Sequence, residues 1–132
     1  VSNTYLDWGM ENVRLNRLDE SKNVFVRSDA FAFLKGSREL FDIIFIDPPT
    51  YSNGAGREDW SVQDHHAALI NFAMKRLAPG GTLLFSENFR RFELEGKLKR
   101  DFSVSEITAA TIPPDFARRG KAHRCWEIHH PN

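Results

Sequence analysis

An acid followed by two prolines closes an apolar run in the stretch Phe41-Asp42-Ile43-Ile44-Phe45-Ile46-Asp47-Pro48-Pro49-Thr50-Tyr51-Ser52. The run is β-prone, too short for a helix and stopped by the prolines, so it reads as a buried strand. A carboxylate at the carboxyl end of such a strand lies where open α/β sheets bind ligands. Pro48 and Pro49 fix φ and remove two amide donors, which leaves carbonyls rigidly presented with Tyr51 held just beyond them. That makes a platform for a flat polar ring. As a bare tripeptide, Asp-Pro-Pro is ordinary turn chemistry. Its setting lifts it above a turn, because a helical stretch and a second apolar run, Thr82-Leu83-Leu84-Phe85-Ser86, follow and make a parallel strand-helix-strand unit.

The elements that must position this corner can be read along the chain. Leu6, Met10 and Val13 repeat at helical spacing, with Ser2 as an N-cap and Asn16 at the exit. Asn23 to Ser28 reads as a short strand, and Asp29 then either caps the helix that begins at Ala30 and Phe31 or joins Asp47 at the ligand-binding rim. Residues 52–60 form a polar, glycine-containing connection of the kind that serves as a functional lid or is disordered. A helix from Val62 to Leu77, a turn at Pro79-Gly80-Gly81 and the strand Thr82–Ser86 come next. A short helix is expected over Glu93–Arg100, a strand over Val104–Ile112 and a last strand over Arg124–His130; the final pair, joined without a crossover helix, is expected to run antiparallel.

Composition sets the outer bounds. The 132 residues suit at most one domain with a real core. Lys plus Arg and Asp plus Glu are 18 each, so net charge points to no partner and only distribution can. Basic residues gather late, and the cluster Arg118, Arg119 and Lys121 beside Phe116 suits backbone contact and base stacking on unpaired RNA, or else a solvated loop. One cysteine, Cys125, excludes an internal disulfide framework and a cysteine-based zinc site. His65 and His66 have no evident partner set, so no metal is expected. With no apolar run of membrane-spanning length and no leader pattern, a soluble cytoplasmic protein away from membranes is expected.

Asp29-Ala30-Phe31, the Asp47–Ser52 corner, Pro79-Gly80-Gly81-Thr82 and the closing hairpin together resemble the class I S-adenosylmethionine-dependent methyltransferases. Tyr5-Leu6-Asp7-Trp8, Asn12, Leu15-Asn16, Asp115-Phe116-Ala117-Arg118, His123, Cys125 and Trp126 narrow the likeness to the guanine N7 module of bifunctional bacterial large-subunit ribosomal RNA methyltransferases. The resemblance implies an α/β, Rossmann-like sheet ending in an antiparallel hairpin, with residues 1–132 as the C-terminal part of one such domain. It implies S-adenosylmethionine as cofactor, with Asp29 accepting from the adenine amino group and Ala30 and Phe31 beside the ring. Asp47, Pro48 and Pro49 would line the transfer site, and Tyr51 or Ser52 would meet the target base of ribosomal RNA. The family's glycine-rich first motif and its second strand are absent, so the chain is expected to be a truncated piece carrying half of the cofactor pocket, open to self-association through exposed sheet edges.

Chemistry leaves the target atom open. Guanine N7 offers a lone pair and needs no base, whereas an exocyclic amine loses a proton and benefits from an acceptor such as Asp47 or the Pro48 carbonyl. Carbon-5 methylation of a pyrimidine is disfavoured, because it needs a thiolate and the residues after the second strand read Ser86-Glu87-Asn88. Two other readings stay in view: a catalytically silent fragment or binding module, and a methyltransferase for another class of substrate on the same fold.

Overall fold

The computed structural model describes residues 3–52, 59–119 and 123–131, with side chains omitted for 117–119. The chain divides into two compact units, residues 1–36 and 37–132.

In the first unit, α1 (Asn3–Leu15) ends where its last carbonyls are taken up in a left-handed turn. Arg17 adopts φ 55°, Leu18 N–H donates to Val13 at 2.9 Å and Arg17 N–H donates to Arg14 at 3.0 Å. This is the helix stop usually built on glycine. Gly9 is required inside α1, because a Cβ there would stand 2.5 Å from the Phe25 ring. A short 3-10 turn (Glu20–Lys22) follows, capped by Asp19, whose side chain accepts from the Ser21 amide.

Residues 24–27 then run without strand pairing, and Val24, Phe25 and Val26 are exposed, so the expected strand over Asn23–Ser28 does not form. β propensity describes how a residue fits a pleated, half-buried surface. These residues have the propensity without the surface. The unit closes with α2 (Ala30–Gly36).

The second unit is built on a four-stranded sheet. Its strands are β1 (Phe41–Ile46), β4 (Leu77–Glu87), β5 (Ser103–Glu106) and β6 (Arg124–His129), in the order β1-β4-β6-β5. A separate ribbon pairs β2 (Tyr51–Ser52) with β3 (Trp60–Ser61). β1 and β4 are parallel with α3 (Val62–Met74) between them in sequence, and β6 is antiparallel to both β4 and β5. The expected strand-helix-strand unit and closing hairpin are both present.

Several boundaries differ. The helix ends at Met74, and β4 begins at Leu77 because a bulge carries it through the glycines. Phe41 faces Leu77 while Ile43 faces Thr82, Gly80 takes φ 77°, and a Cβ on Gly81 would meet the Asp42 carbonyl at 2.8 Å. The strand expected over Val104–Ile112 stops at Glu106, and Thr108–Thr111 turns into a short helix, α5. Thr108 redirects the chain, since its hydroxyl donates to Glu106 and accepts from the Cys125 amide. The short helix α4 (Gly96–Asp101) begins three residues later than the expected Glu93.

The core lies where α3 packs over β4 and β6. Leu69, Ile70, Ala73 and Met74 are buried with Leu83, Phe85, Trp126 and Ile128. Phe92 joins them, its ring 5.2 Å from Trp126 and 4.7 Å from His66. β1 is not the buried strand its composition suggests, because among the described residues it pairs only with β4 and leaves Ile43 70% and Phe45 62% exposed. A continuous apolar run is the pattern of a strand covered on both faces.

Candidate functional site

The corner after β1 stands at the surface, with Asp47 and Pro49 exposed and Pro48 half-buried. Long-range bonds hold it there. The Trp60 indole N–H donates to the Pro49 carbonyl at 2.7 Å, and the Val62 amide donates to the Thr50 carbonyl at 3.0 Å. Trp60 is itself braced by stacking on His65, with ring centroids 5.3 Å apart. Thr50 Oγ1 lies 3.1 Å from both Glu87 Oε1 and Asn88 Oδ1. The proline carbonyls are therefore fixed by ring geometry from within and by Trp60 and Thr50 from outside.

Tyr51 is 64% exposed and meets Phe89 edge to face, with centroids 6.1 Å apart. Two loops thus converge, one leaving β1 and one leaving β4. Ser52 lies beside Tyr51 in β2 and is exposed. Asp47 makes no hydrogen bond or ion pair among the described residues, so its carboxylate is available to a ligand. It does act on Cys125: burial first, then the charges of Asp47 and Glu127, push that thiol above its ordinary value of 9.0. A thiol held protonated and buried in β6 is not a nucleophile.

Asp29 caps α2 in the first unit. Its Oδ1 accepts from the amides of Phe31 at 2.9 Å and Ala32 at 3.2 Å. Ala30 is exposed and Phe31 half-buried at the same helix start. A carboxylate offers about four acceptor positions over its two oxygens, so capping is compatible with accepting from a ligand as well.

The expected RNA-contacting cluster is only partly described. Phe116 is 50% exposed on a 3-10 turn, while the side chains of Arg118 and Arg119 and the whole of Lys121 lie outside the described residues. Arg124, nearby in sequence, is committed to structure. It makes paired 3.0 Å bonds to Glu106, donates to the Phe92 carbonyl at 2.8 Å and lies over the Trp126 ring. The Glu106 hydrogen bond holds its pKa above the ordinary value against the opposing effect of burial.

The histidines also serve the fold. His66 is buried; its Nε2 accepts from the Glu95 amide, so Nδ1 carries the proton that goes to the Val62 and Gln63 carbonyls. His129 and His130, at the end of the expected last strand, are half-buried and reach the carbonyls of Gly81 and Leu77 in the β4 bulge. Among the described residues no group of three or more His, Cys, Asp or Glu could hold a metal ion, and no helix is long and apolar enough to cross a membrane.

Thr50, Trp60, Glu87 and Phe89 were not marked as site residues by sequence reasoning. Thr50 stood inside the Asp47–Ser52 stretch and Glu87 directly after the strand Thr82–Ser86, but nothing in either position signals the bond between them.

Solved structures decide the fold. A SAM-dependent methyltransferase from Agrobacterium tumefaciens covers 99% of this chain at a TM-score of 0.65 and 19% identity, with 47% of its own length matched. A methyltransferase structure complexed with SAH covers 96% of this chain at a TM-score of 0.70 and 20% identity, with 37% of its own length matched. The chain has the class I methyltransferase fold. No family model matches it.

Curated relatives are much closer in sequence. The chain is 49% identical over 129 residues to the ribosomal RNA large subunit methyltransferase K/L of Pseudomonas putida (strain GB-1) and 51% identical over 129 residues to that of Pseudomonas fluorescens (strain Pf0-1). Each alignment takes in 97% of this chain, which spans 18% and 17% of the length of those relatives.

Proposed function

We propose that these residues are part of a cytoplasmic S-adenosylmethionine-dependent methyltransferase that acts on ribosomal RNA, with guanine N7 as the acceptor atom. The observation that carries the proposal is the Asp47-Pro48-Pro49-Tyr51 corner, fixed at the carboxyl end of a parallel strand in a methyltransferase fold. The identity to the K/L relatives supports ribosomal RNA as the substrate. Asp29, with Ala30 and Phe31, fits an adenine ring: an acceptor for its amino group beside small and apolar side chains. In the other unit, Asp47 would make a cofactor contact of its own at the methyl-transfer end.

The cofactor supplies a methyl group on a sulfonium. The protein's part is alignment, because in-line displacement needs the acceptor lone pair near contact with the methyl carbon and opposite the leaving sulfur. At guanine N7 the new N–C bond forms as the C–S bond breaks, and the positive charge passes to the purine ring with no proton removed. The rigid carbonyls of Pro48 and Pro49 and the Tyr51 ring would hold the base, the Asp47 carboxylate would favour the developing charge, and Ser52, Phe116, Arg118, Arg119 and Lys121 would contact the RNA. β1 stands at one end of the strand order and exposes Ile43 and Phe45, so the isolated 132 residues would self-associate through that edge.

The test uses the full-length parent enzyme, unmodified large-subunit ribosomal RNA and S-adenosylmethionine carrying a labelled methyl group. Label is expected on a guanine whose strand breaks after borohydride reduction and aniline treatment, the signature of N7 methylation. Label on an exocyclic amine would move the assignment to another nitrogen; activity on a metabolite but not on RNA would overturn it. The silent-fragment reading concerns the isolated 132 residues and is tested by calorimetry with S-adenosylmethionine, where micromolar binding would refute it.

A further inference from the structure

Glu87 ends β4 and is 1% exposed. Its Oε1 receives the Asn88 amide at 3.0 Å, the Phe89 amide at 2.8 Å and the Thr50 hydroxyl at 3.1 Å, while the buried Oε2 has no hydrogen-bond partner among the described residues. Withdrawing a carboxylate from water is costly, and leaving one of its oxygens unbonded adds to the cost. Retention at this place therefore asks for a reason beyond packing.

The three donors supply one. One comes from the loop after β1 and two from the loop after β4, so a single oxygen ties together the loops that carry Tyr51 and Phe89. We propose that Glu87 is a positioning residue for methyl transfer, acting through Thr50 to set the Pro48 and Pro49 carbonyls and the Tyr51 ring against the base. The inference rests on the methyl-transfer reading of the corner.

Burial along β4 indicates why the action is indirect. Leu83, Phe85 and Glu87 are buried while Leu84 and Ser86 between them are half-buried, so Glu87 points into the packed side of the sheet. Thr50 has one proton and stands equally close to Glu87 and Asn88. Without the carboxylate its hydroxyl keeps only the Asn88 side chain, whose loop has lost the acceptor for the Asn88 and Phe89 amides, so the corner is no longer tied to a fixed point at the end of β4.

The test measures kcat, KM for unmodified ribosomal RNA and SAH affinity in the full-length enzyme for Glu87→Ala, Glu87→Gln, Thr50→Val and Thr50→Ser. Glu87→Ala is expected to lower kcat by up to roughly a hundredfold, the scale of a misplaced reacting group, with SAH affinity held within about twofold. Glu87→Gln keeps an oxygen for the same three donors and should recover most of the rate, as should Thr50→Ser. Thr50→Val should match Glu87→Ala, and the double variant should be no worse than either, because both remove one link.

A second readout is independent of turnover: the 19F resonance of 5-fluorotryptophan at Trp60, whose indole bonds Pro49. It should shift in Glu87→Ala and Thr50→Val and hold in Glu87→Gln. An unshifted resonance, an unchanged kcat in Glu87→Ala, or additive losses in the double variant would each overturn the proposal. If the unaltered enzyme fails to methylate RNA, the functional reading falls while the resonance still decides the role of Glu87.

Discussion

The two compact units bury their apolar residues to very different extents. Residues 37–132 place Trp126, Phe85, Phe92, Ile70 and Leu83 at 2% exposure or less, whereas among the described residues of 1–36 only Val13 and Leu34 are buried and Tyr5, Trp8, Leu15, Val24 and Val26 are exposed. The smaller unit is held mainly by local devices: the Asp19 and Asp29 caps and the left-handed stop at Arg17. Bonds within one turn need no distant partner, while burial needs a second layer. The corner at Asp47 belongs to the unit that has that second layer.

The comparison breaks most directly at Trp126. Trp126→Ala should destabilise the larger unit by about 3–5 kcal/mol, since the ring fills space between Phe85 and Phe92. Leu15→Ala, at a side chain 78% exposed in α1, should stay within about 0.5 kcal/mol. Urea unfolding followed by hydrogen exchange reads each unit separately, and equal effects at the two positions would remove the distinction.

Arg124 sharpens the same contrast from the polar side. Arg124→Ala should cost about 1.5–3 kcal/mol, the scale for a hydrogen-bonded charge, because it removes the paired bonds to Glu106 and the donor to the Phe92 carbonyl together. A loss confined to RNA binding with no change in stability would instead return Arg124 to the basic surface cluster.

The elements legible from sequence were those whose signal is self-contained. The apolar run ending at Asp47, the helix beginning at Val62 and the strand around Phe85 each carry their own period and stop, and all three formed. Asn23–Ser28 carried a strand's composition but strand pairing needs a neighbour, and none is paired there. Glu87 escaped because its decisive bond reaches Thr50, 37 positions away. His129 and His130 escaped for a related reason, since the carbonyls they meet are displayed by a bulge that only the β1–β4 register creates. The turn of the corner was readable at Pro48 and Pro49, where covalent structure sets the geometry; the supports from Trp60, Thr50 and Phe89 depended on the completed fold.

Within the smaller unit, Asp29 separates a cap from a ligand. Asp29→Ala should cost about 1 kcal/mol of local stability, with the Phe31 and Ala32 amides exchanging faster. Asp29→Asn keeps the cap at little cost and exchanges half of the carboxylate's acceptor capacity for a donor. If Asp29 also accepts from the adenine amino group, cofactor affinity in the full-length enzyme should fall in both variants while stability falls in only one. Parallel losses of affinity and stability would reduce Asp29 to its cap.

The smallest expected effect has the opposite sign. Arg17 sits at φ 55°, where a side chain costs about 1–2 kcal/mol that glycine avoids. Arg17→Gly recovers that strain but also loosens the unfolded chain, which takes back about 0.4–1 kcal/mol. The net expectation is a stabilisation of about 0.5 kcal/mol, seen as slower exchange of the Leu18 amide that closes α1. A gain confined to residues 1–36 would show that the smaller unit is limited by its local devices; a gain shared by Trp126 and Phe85 in the larger unit would show that the two unfold together.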